Sequence, residues 1–422
     1  MQMYDGLPII TNKITVEERK GIPHHLLGII GLNEEPWRVS VFNKKARELI
    51  KEIRSRGRLP ILVGGTHYYT QSLLFNKVVG NAVEDGDGAK DEISREEINR
   101  RFPILERPTR EILEELEKVD PVMANRWHPN DRRKLQRSLE IYLLTGKQAS
   151  QIYQEQREKT RLSLESDTKS YASRGQEPEV ALRSTLIFWI HTESEILKSR
   201  LDTRVEEMID RGLIGEATAL RNFVDEQTAA EKKIDLSSGI WISIGFKEFE
   251  RYITSKSGNA SGEALDVLLK EGIKQTKAAT RHYARRQIRW IRMKLLSALS
   301  SENSLESLYL LDGTDLGRWQ EMVSDQASGI VDQFLAGEKT PEPRCLSPAA
   351  GELLVPGRDF ELSDRWDLWT RQVCDVCDVT AVTDEQWQIH LKSRGHRRAV
   401  KRSKNGLQDK VAMNEGWKQK QG

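Results

Sequence analysis

Two short stretches carry side chains of the type and spacing that do chemistry. In "CDVCDVTAVTDEQWQIHLKSRGH", two residues lie between Cys374 and Cys377, twelve more precede His390, and five separate it from His396. Two thiolates and two imidazoles at this spacing offer four ligands tetrahedrally, the donor set of a structural zinc site with no position left for a substrate. A module this small has almost no core and needs the metal to fold; chance clustering is the bland alternative. The second stretch, "RLPILVGGTHYYTQSLLF" from Arg58 to Phe75, reads as a short buried strand, a glycine pair and a helix start. Those are the parts from which phosphate and nucleotide sites are built, so Gly64, Gly65 and Thr66 are candidates for a phosphate-facing turn.

Charge adds a class of partner. Lys274 to Lys294 holds eight Lys/Arg and no acid, and His390 to Gly422 holds ten against Asp409 and Glu415, in a chain of net charge only +2. Two concentrated basic blocks point to a polyanion; merely solvated faces are the competing reading. In "TRHYARRQIRWIRMKL", Ala284, Ile288, Ile291 and Leu295 recur at helical spacing and face the protein, while Arg281, Arg285, Arg289 and Arg292 form a second stripe. Tyr283 and Trp290 stand beside those arginines, available for stacking on bases. A salt-bridged surface helix is disfavoured because the helix carries no acid of its own there.

The elements that must position these residues follow from periodicity and punctuation. Phe42, Ala46, Leu49, Ile50 and Ile53 predict a helix over 41–56, with Gly57 as its capping glycine. Helices are expected over 108–118, 130–144, 148–158 and roughly 264–296, and a strand over Ser184–His191 leads into a helix of about 19 residues ending near Arg211. Residues 82–98 read as a polar surface insertion leading into helix, and 164–179 have the composition of disorder. A proline-bearing linker over 335–357 sets off the Cys/His module. The organisation expected is an α/β core in two parts (1–80 and 183–334), a mostly helical insertion (81–182), a linker (335–365), a finger (366–404) and a basic tail (405–422).

The 422 residues are 37% hydrophobic and 31% charged, a soluble globular composition. No apolar run approaches the roughly 18 residues of a membrane span, and residues 1–20 lack the apolar core of a secretory signal. Three cysteines, two in one CxxC, suit a reducing compartment and a metal site better than a disulfide framework. Cys345 is assigned nothing. The His24-His25 pair has no third ligand nearby and is read as structural.

Six ordered motifs, "MQMYDGLPIITNKITVEERKGIPHHLLG", "LPILVGGTHYYTQSLLF", "HPNDRRKLQRSLEIYLLTGK", "RLDTRVEEMIDRG", "SIGFKEF" and "TRHYARRQIRWI", resemble the eukaryotic, fungal-type tRNA dimethylallyltransferases (the IPP transferase family). The resemblance covers nearly all of residues 1–300, and the five-residue gap between the histidines resembles matrin-type, RNA-associated fingers. It implies a P-loop-NTPase-like parallel sheet core, a helical insertion domain and a C-terminal two-Cys two-His zinc finger. It implies transfer of a dimethylallyl group from dimethylallyl diphosphate to N6 of adenosine 37, beside the tRNA anticodon, with the base flipped out of its loop. Carried over by position, Met1 and Gln2 belong to the stretch that reads the adenine. Thr66 orients its amine and the diphosphate, and Gly64, Gly65, Arg200 and Arg204 bind the diphosphate. Arg133, Gln136, Arg137, Arg281 and Arg285 touch the anticodon stem-loop. Zn2+ in the finger, Mg2+ with the diphosphate, a monomer bound to one tRNA, and a place in cytoplasm, mitochondrion or nucleus complete the expectation. Without the resemblance, Arg200 and Arg204 read as an i, i+4 network with Asp202 or Glu206.

One part of the family pattern is missing: no G-x-x-x-x-G-K-S/T occurs, and the sequence begins inside the family's Asp-Ser-Met-Gln stretch, leaving out the general-base Asp. On this reading the core is N-terminally incomplete. Either the sequence is truncated and its product starts upstream, or a genuine short form binds tRNA without catalysis. A nucleotide kinase of the P-loop class is a third reading, opposed by the finger and the absent Walker lysine.

Overall fold

Along the chain the helices that matter are α1 (Val39–Ser55), α2 (His67–Phe75), α3 (Thr109–Val119) and α4 (Arg132–Thr145). Strand β1 (Ile187–His191) precedes α5 (Ser194–Asp210), α6 (Leu213–Ala229) and α7 (Gly262–Trp290). Strand β2 (Leu308–Asp312) follows, and the C-terminal module contributes β3 (Gln372–Val373), β4 (Thr380–Ala381) and α8 (Asp384–Lys392). The computed structural model describes residues 1–75, 95–155, 158, 185–232, 234–258, 261–356 and 371–402. The expected polar insertion at 82–98 lies largely outside them; the 164–179 loop and the 405–422 tail lie wholly outside. The chain divides into two units, Met1–Asn76 with Glu177–Phe360, and Lys77–Gln176 with Glu361–Gly422.

In the first unit β1 and β2 pair in parallel, from Ile187 opposite Leu308 to His191 opposite Asp312. Parallel neighbours need a long crossover, and the helices α5 to α7 supply it. Local pattern does not mark "LYLLD" as a strand, yet Leu308, Tyr309 and Leu310 are fully enclosed. The C-terminal continuation of α7 closes over this pair with Ile291, Leu295, Leu296 and Leu299. A separate cluster packs α6 against the N-terminal segment through Tyr4, Ile10, Ile30, Leu213, Ala217 and Leu220.

α1 ends as its sequence requires. Gly57 takes φ +65°, its N–H reaches the Arg54 carbonyl at 2.9 Å, and the Arg58 N–H reaches Ile53 at 3.1 Å, a Schellman closure. The buried strand expected next does not form. Residues 59–63 have no ladder partner among the described residues, with Ile61 78% and Val63 86% exposed. An extended apolar run becomes a strand only when a neighbour takes its N–H and C=O groups, and local pattern cannot supply that neighbour.

The linker over 335–357 also needs correction. Residues 343–345 make a turn and Pro348–Leu353 a short helix, which places Ala350 and Leu354 in the core beside Leu308 and Leu310. Of the four prolines in this stretch, Pro343 and Pro348 each stand at the first turn of one of these pieces, where the missing N–H is no loss.

The second unit has its own core, in which Ile112, Leu116, Met123, Leu135 and Leu139 are fully buried. α3 and α4 lie where the sequence predicts, and residues 149–155 of the expected third helix are helical. Asp131 caps α4 by accepting from the Lys134 N–H, and Gly146 at φ +71° ends it. In the C-terminal module β3 and β4 form an antiparallel pair followed by α8. Among the described residues no helix is long and apolar enough to cross a membrane.

Candidate functional site

Gly64, Gly65 and Thr66 form an exposed turn at the start of α2; the Thr66 carbonyl accepts the Tyr69 N–H at 3.0 Å, closing the first helical turn. Neither glycine has the left-handed backbone that demands glycine, and a Cβ added at either meets nothing within 4 Å. No packing among the described residues accounts for the pair; bare backbone at a helix N-terminus is what lets a phosphate approach closely. Gln71, one turn on, accepts a 2.8 Å hydrogen bond from the Trp290 indole, and Tyr68 meets the same ring edge-on, so α2 is fixed to the end of α7. Trp290 therefore holds two helices together, rather than standing free beside the arginines.

α5 carries the two candidate diphosphate arginines, and they differ. The Arg200 guanidinium donates to the carbonyls of Gly313 at 2.7 Å and Thr314 at 2.5 Å, clamping the loop that leaves β2. Arg204 is exposed and has no ion pair or hydrogen bond among the described residues. Partial desolvation, then the nearby Arg211 guanidinium, lower its pKa. Glu207, three residues on, acts the other way without outweighing them, so the position stays electropositive. The acids expected to satisfy these arginines face elsewhere: Asp202 takes Arg281 through both carboxylate oxygens, at 3.0 and 2.7 Å, and Glu206 takes Lys277. Their partners lie 79 and 71 residues away, beyond any local pattern.

The basic helix is present with both stripes. Ile291 and Leu295 are buried and Ala284 and Ile288 half-buried, while Arg285, Arg286, Arg289 and Arg292 are exposed and carry no ion pair among the described residues. Arg292 sits in a π-helical turn, Ile291–Leu295, that continues α7. Arg281, half-buried against Asp202, is set apart from that face.

Met1 is exposed, and the Gln2 side chain donates to the Asn12 carbonyl at 2.6 Å. Their segment is tied down from both sides. The Gln2 and Met3 carbonyls accept N–H groups of Gly28, Ile29 and Ile30, and Glu216 of α6 accepts the Ile9 and Ile10 N–H groups at 2.9 and 2.7 Å. Local pattern does not reveal Glu216, because a lone Glu in a helix gives no sign of so distant a role. The His24 ring bonds the Ile22 carbonyl at 2.8 Å, a structural use.

In the second unit Arg133 is exposed on α4 and Arg137 pairs with Glu140 at 2.9 Å. Gln136 is only 8% exposed, on the inner face with Leu135 and Leu139. Helical phase places 133 and 136 one turn apart, but the core here covers the later position.

The four Cys/His donors converge, all lying within 4.8 Å of one another. Sγ–Sγ is 3.3 Å, Cys377 Sγ to His390 Nε2 3.2 Å, and His396 Nδ1 lies 3.5 and 3.6 Å from the two sulfurs. Donors about 2.0 to 2.3 Å from a tetrahedral zinc stand roughly 3.3 to 3.8 Å apart, so the set fits that ion. The nearby His390 imidazole pulls the Cys374 thiol down to about 6, whereas burial, and then Cys374 itself, push Cys377 up. Arg371, just before β3, pairs with Glu117 of α3 at 2.7 Å.

Comparison with known proteins bears on what this arrangement is for. The family model described as IPP transferase matches residues 2–294. The tRNA dimethylallyltransferase of Saccharomyces cerevisiae is 34% identical over 408 residues, which cover 96% of this chain and 85% of the relative. The Homo sapiens protein of the same name is 31% identical over 415 residues, covering 97% and 81%. A solved eukaryotic dimethylallyltransferase acting on tRNA superposes with a TM-score of 0.71 at 32% identity, over 99% of this chain and 91% of that one.

Proposed function

The chain belongs to the IPP transferase family, whose members prenylate tRNA, and on that premise we propose how its residues divide the work. The substrate is the anticodon stem-loop of tRNA. The N6 amine of adenosine 37 attacks C1 of dimethylallyl diphosphate, the N–C1 bond forms as the C1–O bond breaks, the electron pair leaves with the diphosphate, and the proton released from N6 passes to solvent. The work lies where tRNA is, in cytoplasm or mitochondrion.

The reading of the site rests on one observation: Arg204 makes no hydrogen bond or ion pair among the described residues and has only the charge of Glu207 near it, while Asp202 and Glu206 of the same helix are engaged by α7. Charge grows on the leaving diphosphate in the transition state, and a guanidinium held ready there stabilises it more than it stabilises the ground state. The open Gly64-Gly65 backbone and the positive end of α2 serve the same anion. The Thr66 hydroxyl orients the amine, and Gln2 contacts the base. Arg200 supports this site from its clamp on Gly313 and Thr314. Mg2+ is expected to enter with the diphosphate, and among the described residues the Cys/His group is the one cluster of three or more ligand side chains.

tRNA is held by the exposed arginines of α7, by Arg133 and Arg137 of the insertion, and by the finger, with zinc on Cys374, Cys377, His390 and His396. That zinc supplies no chemistry to the transfer, because its four positions are filled. The test is prenyl transfer from labelled dimethylallyl diphosphate to an anticodon stem-loop. Replacing Arg204 by Met or Thr66 by Val is expected to lower the rate on the order of 10²-fold with tRNA affinity nearly unchanged. Equal loss of rate and binding removes the roles assigned to both residues. Tight tRNA binding with no transfer by the unaltered protein favours a non-catalytic RNA-binding role.

A further inference from the structure

α5 bears two interleaved stripes. Arg200 and Arg204 are four residues apart, and so are Asp202 and Glu206, offset from them by two. Two residues of α-helix rotate by about 200°, so the acidic stripe and the arginine stripe face opposite ways. On α7 the partners are again four apart, in reverse order: Asp202 with Arg281, Glu206 with Lys277. The two helices thus run antiparallel here and are joined at two levels one turn apart. The upper joint is bifurcated, with one guanidinium nitrogen donating to both Asp202 oxygens, and both side chains are about 30% exposed. Arg200 fixes the start of α5 to the loop after β2.

We propose that Asp202 and Arg281 are positioning residues: their pair sets the rotation of α5 about its own axis and thereby aims Arg204 at the diphosphate. The inference rests on the reading of Arg204 as the diphosphate ligand. Packing alone holds the helix less well, because Val205 is the one buried residue of α5. A free arginine has many rotamers, and fixing its backbone direction removes part of the entropy of placing it on an anion. Two consequences follow. Arg281 does not add to the RNA-facing charge, since its field is cancelled by Asp202. Its loss is felt through the diphosphate.

Titration of the full protein with inorganic pyrophosphate and, separately, with an anticodon stem-loop tests this. Asp202→Asn and Arg281→Gln are each expected to weaken pyrophosphate binding about five- to tenfold while leaving stem-loop affinity within about twofold. The exchanged pair, Asp202→Arg with Arg281→Asp, is expected to restore most of the loss, which a variant that merely unfolds cannot do. In an Arg204→Met background, Asp202→Asn is expected to have no further effect, because the two act through one guanidinium. Undiminished loss in that background overturns the proposal, as does a change in stem-loop affinity with pyrophosphate unaffected. Arg204→Met that binds pyrophosphate normally removes the assignment of Arg204 and this inference with it. Arg204-dependent binding that ignores Asp202 and Arg281 removes the inference alone.

Discussion

Replacing Arg285, Arg289 and Arg292 together by Gln should change the salt dependence of tRNA binding more than any other property. All three are exposed on the outer side of α7 and its π-helical turn and carry no ion pair among the described residues. At about 1.5 Å per residue they span roughly 10 Å, enough for about three phosphates spaced about 3.4 Å along a strand. Each neutralised phosphate contributes about 0.7 to 0.9 to the slope of log K against log salt, so the triple variant is expected to be shallower by about 2 to 3. Between roughly 50 and 200 mM salt the unaltered protein should therefore lose about thirtyfold more affinity than the variant. Fluorescence anisotropy of a labelled stem-loop over that range measures the slope, with far-ultraviolet circular dichroism confirming that helix content is retained. Lys277→Gln and Arg281→Gln serve as the contrast: both cations are already paired with acids of α5, so each should move the slope by less than half of one phosphate. An unchanged slope in the triple variant, or equal effects from the paired cations, refutes the argument.

Three further outcomes are expected. Cys374→Ser, or a strong chelator, should take bound zinc from one per chain to none and melt the helical signal of the finger, because the module has little core without its metal; a full zinc content in the variant ends the assignment of that ligand. Leu310→Ala removes a fully enclosed side chain from β2 and should destabilise the protein by about 2 to 5 kcal/mol, read as a lower midpoint in denaturant; a loss under about 0.5 kcal/mol contradicts the burial of β2. Val63→Lys, at a position 86% exposed, should change stability by no more than about 0.5 kcal/mol, and a loss of several times that would mean residues 59–63 are covered in the folded protein.

Local chemistry settled a good part of this molecule before any coordinates. α1 and its glycine stop, the helix α4, the two stripes of α7 and the converging Cys/His donors each depend on residues a few positions apart, where helical phase and ligand spacing act directly. Long-range pairing was out of reach in the same way at every failure. "LPILV" and "LYLLD" look alike as apolar runs; one is enclosed as β2 and the other is exposed, because only the presence of a neighbouring strand separates them. Arg281 and Arg285 look alike on one helical stripe, yet Asp202 of α5 neutralises the first and leaves the second open. Gln136 and Arg133 differ by three residues in sequence and by a core that covers one of them. Sequence determined which side chains stand on which face of each element; tertiary structure decided what meets that face, since burial and ion pairing are properties of pairs of elements and not of either alone.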